Sequence, residues 1–235
     1  KSRISYINLL EVFGLQPEKA GRGMEEILQL ASIARDYNIP FSIVPHAAYS
    51  ISLPLFRLLK KHTANNIITS FHFMETEAER SFLKYYDGPL KETFRESKLL
   101  PAHPELVSDH VSAVLDEITP SGSLILVHNT FVDRSTIKKL RSRENLYWCL
   151  CPRANLHIEN RVPPLDLLTA EDCRIVIGTD SLASNESLDI LEELKVLQAY
   201  YPEIPLQDLV KWATFNGAMA LRQENNYGNI SSGKK

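Results

Sequence analysis

The sequence predicts an α/β protein of the (β/α)8, TIM-barrel type. Six apolar, β-rich runs recur along its 235 residues, most are followed by a helix-like stretch, and several end on a histidine or an acid. Uninterrupted apolar runs suit strands buried on both faces, as in parallel sheets. Polar groups at the ends of separate strands suit a barrel, whose strand ends converge on one mouth. A doubly wound sheet would show a glycine-rich phosphate loop after its first strand, and EVFGLQPEKAGRG is not one.

The first run, ISYINLLEVFG (4–14), follows a basic start that imitates a leader peptide. Ser5, Asn8 and Glu11 interrupt it and no small-residue cleavage site follows, so it reads as a strand. MEEILQLASIARDYN then places Ile27, Leu30, Ile33 and Ala34 at helical spacing. The second run, PFSIVPHAAYS (40–50), carries His46. The third, NIITSFHFME (66–75), delivers His72 and, three residues on, Glu75. Residues three apart on a straight strand face opposite sides. The two side chains converge only if the chain turns after His72, which the helix-like ETEAERSFLKYY permits. Glu77 and Glu79 read there as first-turn acids.

HPELVSDHVSAVLDEI is expected to be helical, and SLILVHNT (123–130) is a strand ending on His128. NLYWCLCPRAN (145–155) sets Cys149 and Cys151 on one side of a strand. Three cysteines make no disulfide framework, and a lone C-x-C lacks the second pair of a metal site. They read as small core residues in a reducing cytoplasm. The sixth run, CRIVIGTDS (173–181), ends on Asp180, with Gly178 and Ser181 permitting a tight exit. NESLDILEELKVLQAYY, with acids in its first turns, and LQDLVKWATFNGAMAL, weakened by Gly217, complete the helices.

Composition excludes several classes. With 44% hydrophobic and 23% charged residues, the chain is ordinary for a globular protein, and residues 1–235 show no linker and read as one domain. A net charge of −3 and a pI near 6.2 call for neither nucleic acid nor an anionic membrane as partner. No apolar run reaches the roughly 18 residues of a membrane span.

A lone histidine at a strand end is most often a hydrogen-bonded core residue. Here His72, His128 and Asp180 end three separate strands, with Glu75 beside the first. Neutral imidazoles bind zinc, a nearby carboxylate can move the protons of hydrolysis, and an aspartate after so apolar a strand needs a partner. Each alone is weak evidence, but together, at strand ends in one alternating pattern, they point to a metal-assisted hydrolytic site. His62, His103 and His110 stand among charged residues and read as solvated, and His157 as a surface residue near the mouth.

PHAAYS, HFMETEAE, LVHN, CPRAN and GTDSLASN, in this order and spacing, resemble the amidohydrolase superfamily. The resemblance is to the branch of guanine, adenosine, S-adenosylhomocysteine and cytosine deaminases and triazine hydrolases. It implies a (β/α)8 barrel with one divalent metal, zinc or iron, at its mouth. His72 would be a ligand, Glu75 the proton shuttle, and His128 the group that orients the attacking water. Asp180 would be both ligand and base. His46 would contact the substrate, with Asn155 and Ser184 lining the same mouth. The reaction implied is attack of metal-activated water at a C–N bond of a small cyclic, heterocyclic substrate. Apart from the resemblance, the cysteines fit a cytoplasmic protein, and a homo-oligomer is one way for the open sheet edges to be covered. The other zinc-deaminase signature, H-x-E with P-C-x-x-C, is absent from the sequence.

The family's H-x-H on its first strand is also absent, and six strands stand where eight are needed. The chain would then be a partial barrel that starts at the family's third strand and lacks its small β-sandwich. Alone it would be inactive, its metal site incompletely ligated and its two open edges covered by a second copy or by further chain. A divergent homologue without metal is the other explanation. In that case the barrel binds a small molecule or partner without catalysis. Tyr49 and Phe73 could stack on a planar ring, although strand aromatics usually face the core.

Overall fold

All six expected strands form, each shorter than the apolar run that predicts it. The computed structural model describes residues 6–235, so Ile4 and Ser5 of the first run lie outside it. The strands are β1 (Asn8–Val12), β2 (Phe41–Pro45), β3 (Ile68–Phe73), β4 (Ser123–His128), β5 (Leu146–Leu150) and β6 (Ile175–Ile177). They make one sheet of two strands, β1-β2, and one of four in the order β3-β4-β5-β6. The pairings β1 with β2, β4 with β5 and β5 with β6 are parallel. The α/β class with parallel sheets therefore stands, and among the described residues the strands do not close into a barrel. The chain divides into two compact units, Lys1–Phe71 with Ala78–Gly122, and His72–Glu77 with Ser123–Lys235.

In the first unit β1 and β2 pair from Asn8 opposite Phe41 to Val12 opposite Pro45. Helix α1 (Ala20–Asp36) buries Ala20, Met24, Ile27, Ala31 and Ala34, an alternating four-and-three spacing that puts one face inward. Helix α2 (Leu53–Thr63) starts with Pro54 in its first turn and buries Leu55, Phe56 and Leu59. In α3 (Glu77–Tyr85), Phe82 packs on Phe94 of α4 (Pro89–Glu96), ring centroids 5.4 Å apart.

Two expectations fail in this unit. The helix expected over 103–118 begins only at His110, as a three-residue turn α5 (His110–Ser112) that runs into a π-helical turn, Ala113–Glu117. Pro104 disfavours helix at His103, and Asp109 caps the late start by accepting the Ser112 N–H at 2.8 Å. His62 and His103 are exposed as expected, but His110 is 4% exposed and Glu79 1%. They form a buried pair, Nε2 to Oε2 3.1 Å. The signal was the three-residue spacing of Glu79 and Phe82 on α3, which puts the glutamate on the buried face.

In the second unit β4 and β5 pair from Leu124 opposite Leu146, and β5 meets β6 from Trp148 opposite Ile175. Helices α6 (Arg134–Leu140), α7 (Pro152–Glu159), α8 (Leu165–Ala170) and α9 (Ile190–Tyr200) follow. The last segment is one continuous helical run, α10 (Leu206–Lys211), a π-helical turn Trp212–Asn216 and α11 (Gly217–Ala220), with Gly217 in its interior as expected. Trp148 centres the core and meets Phe73 edge-on at 6.3 Å, which makes Phe73 a core residue with no face to offer a ligand. Among the described residues no helix is long and apolar enough to cross a membrane.

Candidate metal centre

The second unit gathers its polar residues at the C-terminal ends of its strands. His72 is the penultimate residue of β3, and the turn required after it occurs at Met74, whose φ is 50°. The Phe131 N–H holds that turn by donating to the Met74 carbonyl at 3.0 Å. Glu75, past the bend, is thereby brought to His128, Oε1 to Nε2 3.5 Å.

His128 ends β4 with φ 78°, and Asn129 follows at 59°. Two successive non-glycine residues in the left-handed region are strained and persist only where their surroundings fix them. Asn129 does the fixing. Its N–H donates to the Phe73 carbonyl at 2.9 Å, and its Nδ2 donates to the Leu126 and Cys149 carbonyls at 2.9 and 3.0 Å. The ends of β3, β4 and β5 are thus tied through one residue, β3 by its backbone and β4 and β5 by its side chain. His128, 1% exposed, is oriented from its other edge by Asn155 of α7. Asn155 gives its Nδ2 to Thr130 Oγ1 and turns its carbonyl oxygen to His128 Nδ1, 3.5 Å away. A proton on Nδ1 leaves the lone pair on Nε2, the nitrogen facing Glu75.

Asp180 lies three residues beyond β6. A side chain at Gly178 would come within 2.9 Å of Cys149 Sγ and 3.2 Å of Cys151 Sγ, so only glycine lets the strand exit against the two thiols. Cys149 belongs to β5, but Cys151 lies just past it, at the start of α7. The hydrogen bond to Cys149 and burial push the Cys151 thiol well up. Asp180 itself takes φ 57°. Ser184 Oγ donates to its Oδ2, and Asn185 Nδ2 donates to the carbonyl of Thr179 at 2.7 Å.

His72, His128 and Asp180 thereby converge, one donor atom from each within 4.8 Å of the others. His128 is buried and the other two half-buried. Two imidazoles and a carboxylate are a donor set for zinc, and equally for ferrous iron, and three protein ligands suffice for a catalytic site with an open position. Asn155 and Ser184 stand against His128 and Asp180. His46 belongs to the first unit, where its Nδ1 lies 2.7 Å from Ser50 Oγ and its ring meets Tyr49 edge-on at 5.8 Å. His157 is exposed in the last turn of α7.

Asn129, Thr130 and Glu193 escaped the sequence reading. The first two follow His128 directly, where two polar residues after a buried strand signal a structured turn. Glu193 lies three residues from Ile190 and four from Leu197, on the buried face of α9.

Parallel strands that gather imidazoles and a carboxylate at their C-terminal ends are the frame of a metal-dependent hydrolase. Residues 17–235 match the amidohydrolase family, and the chain belongs to it. It is 25% identical over 218 residues to the 5-methylthioadenosine/S-adenosylhomocysteine deaminase of Pyrococcus horikoshii, over 87% of this chain and 47% of that protein. To the adenosine deaminase of Helicobacter pylori it is 26% identical over 209 residues, 85% of this chain and 49% of that one. The crystal structure of Helicobacter pylori aminofutalosine deaminase superposes with a TM-score of 0.79 at 23% identity, over all of this chain and 59% of that chain. Atrazine chlorohydrolase from Arthrobacter aurescens, solved with zinc, superposes at 0.69 and 17%, over 98% and 52%. The expected fold class is thus that of solved amidohydrolase-type enzymes. The chain spans about half the length of the relatives it matches.

Proposed function

We propose that this chain carries most of the active site of a metal-dependent aminohydrolase that replaces an exocyclic amine of an adenosine-type ring by oxygen. The carrying observation is the convergence of His72, His128 and Asp180, with Glu75 3.5 Å from His128. His72, His128 and Asp180 would hold one divalent ion, zinc before iron given the zinc in a solved neighbour. Bound there, the ion supplies Lewis acidity that makes water acidic enough to attack near neutral pH. Asp180 would also accept the proton of the attacking water, with the Ser184 hydroxyl, which donates to Oδ2, steadying its carboxylate. Glu75 would carry a proton to the departing amine, which leaves as ammonia. Asn155 and Ser184 are assigned to the substrate side.

The substrate class follows the relatives, whose names place adenosine and methylthioadenosine among their substrates. Three free thiols suit a reducing cytoplasm. The test is ammonia release from adenosine, 5′-methylthioadenosine and S-adenosylhomocysteine by the intact protein and by Asp180→Asn. The variant is expected to fold and to turn over at least about a hundredfold more slowly, the scale of a lost general base. Turnover close to wild type with metal still bound removes Asp180 from the chemistry.

A further inference from the structure

Glu193 has no exposed surface. A buried carboxylate needs partners that repay its lost hydration, and those of Glu193 are particular. Oε2 accepts the backbone N–H of Arg153 at 2.9 Å, and Oε1 accepts Asn185 Nδ2 at 2.6 Å. We propose that Glu193 is a positioning residue for the metal centre, a single carboxylate that fixes both the loop carrying Asp180 and the helix carrying Asn155. The inference rests on the metal reading above.

On the helix side, α7 begins without a cap of its own. Cys151 makes no side-chain capping bond, and Pro152 has no N–H. The Arg153 N–H is therefore the first donor in need of a partner, and Glu193 supplies it from α9, with a negative charge at the positive end of the helix. The Arg153 side chain strengthens the junction, donating to Ser187 Oγ at 2.8 Å and Glu186 Oε2 at 2.9 Å. Two residues on, Asn155 faces His128.

On the loop side, the Asn185 amide nitrogen donates once to Glu193 and once to the Thr179 carbonyl. Thr179 and Asn185 close the segment that contains both Asp180 and Ser184, its hydrogen-bond donor. Asp180 has the positive φ that a non-glycine residue keeps only under such constraint. Without the carboxylate, Asn185 loses the partner that fixes its amide, and the closure of the Asp180 turn loosens. Glutamine in place of Glu193 would turn an NH₂ toward either Arg153 N–H or Asn185 NH₂, donor against donor.

The experiment is zinc titration of the apo-protein by calorimetry, with the melting temperature of each variant measured alongside. Glu193→Gln and Asn185→Ala should each weaken zinc binding about ten- to a hundredfold, the usual effect of removing a group that orients a ligand. Because the two share the loop arm, the double variant should bind zinc more weakly than Glu193→Gln alone but by less than the product of the two single effects. The control is Glu171→Gln, which removes a carboxylate held by Arg134 and Arg141 before the other end of β6. It should lower the melting temperature and leave zinc affinity unchanged. Zinc affinity of Glu193→Gln within about twofold of wild type overturns the inference, and Asn185→Ala is judged by the same limit if Glu193→Gln does not fold. A wild-type protein that binds no zinc removes the metal reading, and this inference with it.

Discussion

His72 and His128 stand ring over ring, 5.3 Å between centroids and 27° between planes. Imidazoles crowded in this way are suited to be neutral ligands of a cation, and Asp180 completes the trio. The chain reaches that geometry through four left-handed residues, Met74, His128 with Asn129, and Asp180, at the exits of three strands. Left-handed backbone at each exit turns the next side chain back toward the strand ends, and the hydrogen bonds of Asn129 and Asn185 keep it there.

Glu75→Gln should retain the metal and lose at least about a hundredfold in turnover, because an amide cannot ferry a proton. Metal analysis and ammonia assay of the same preparation decide the role. Loss of the ion itself would make Glu75 a ligand.

Asp133 caps α6 by accepting the Thr136 N–H at 2.7 Å. That bond holds its carboxyl below the usual carboxylate range. A lowered value means the folded state prefers the ion, so this stabilisation is complete above the unfolded value of about 3.9 and is lost as pH falls through the folded one. Asp133→Ala should cost about 1 kcal/mol near neutral pH, with the deficit shrinking in acid. Urea melts at pH 7 and pH 3 measure it, and an equal deficit at both would mean that the charge is irrelevant to the cap.

Cys173 is half-buried, and burial with the neighbouring Glu171 and Asp172 pushes its thiol up to about 12. At pH 8 almost none of it is thiolate, the reactive form. Iodoacetamide should therefore label native Cys173 far more slowly than the unfolded chain, as peptide mass spectrometry would show. Equal rates would contradict the burial.

The strand order and the strand-end histidines were legible because they follow from apolar runs and their last residues, as at His128 after LILV and Asp180 after RIVIGT. The charged residues that turned inward were less so. Glu79 and Glu193 look like ordinary first-turn acids, and only their helical spacing to Phe82 and Leu197 betrays them. The late start of α5 depends on Asp109 capping after Pro104, local chemistry that the longer helical pattern concealed. The turn after His72 was foreseen, but its left-handed residue was not, since Met74 carries no such signal, and the preference of His, Asn and Asp for positive φ is too weak to place it at His128, Asn129 and Asp180.

The central claim is that His72, His128 and Asp180 together hold one divalent ion, and the metal content of His72→Ala tests it most directly. The intact protein, loaded with zinc and freed of excess, should carry about one ion per chain, measured by plasma mass spectrometry. His72→Ala should fold with the same circular dichroism and carry less than about a tenth of that, since two donors hold zinc poorly. Stoichiometric zinc in folded His72→Ala, or no zinc in the wild-type protein, would contradict the account.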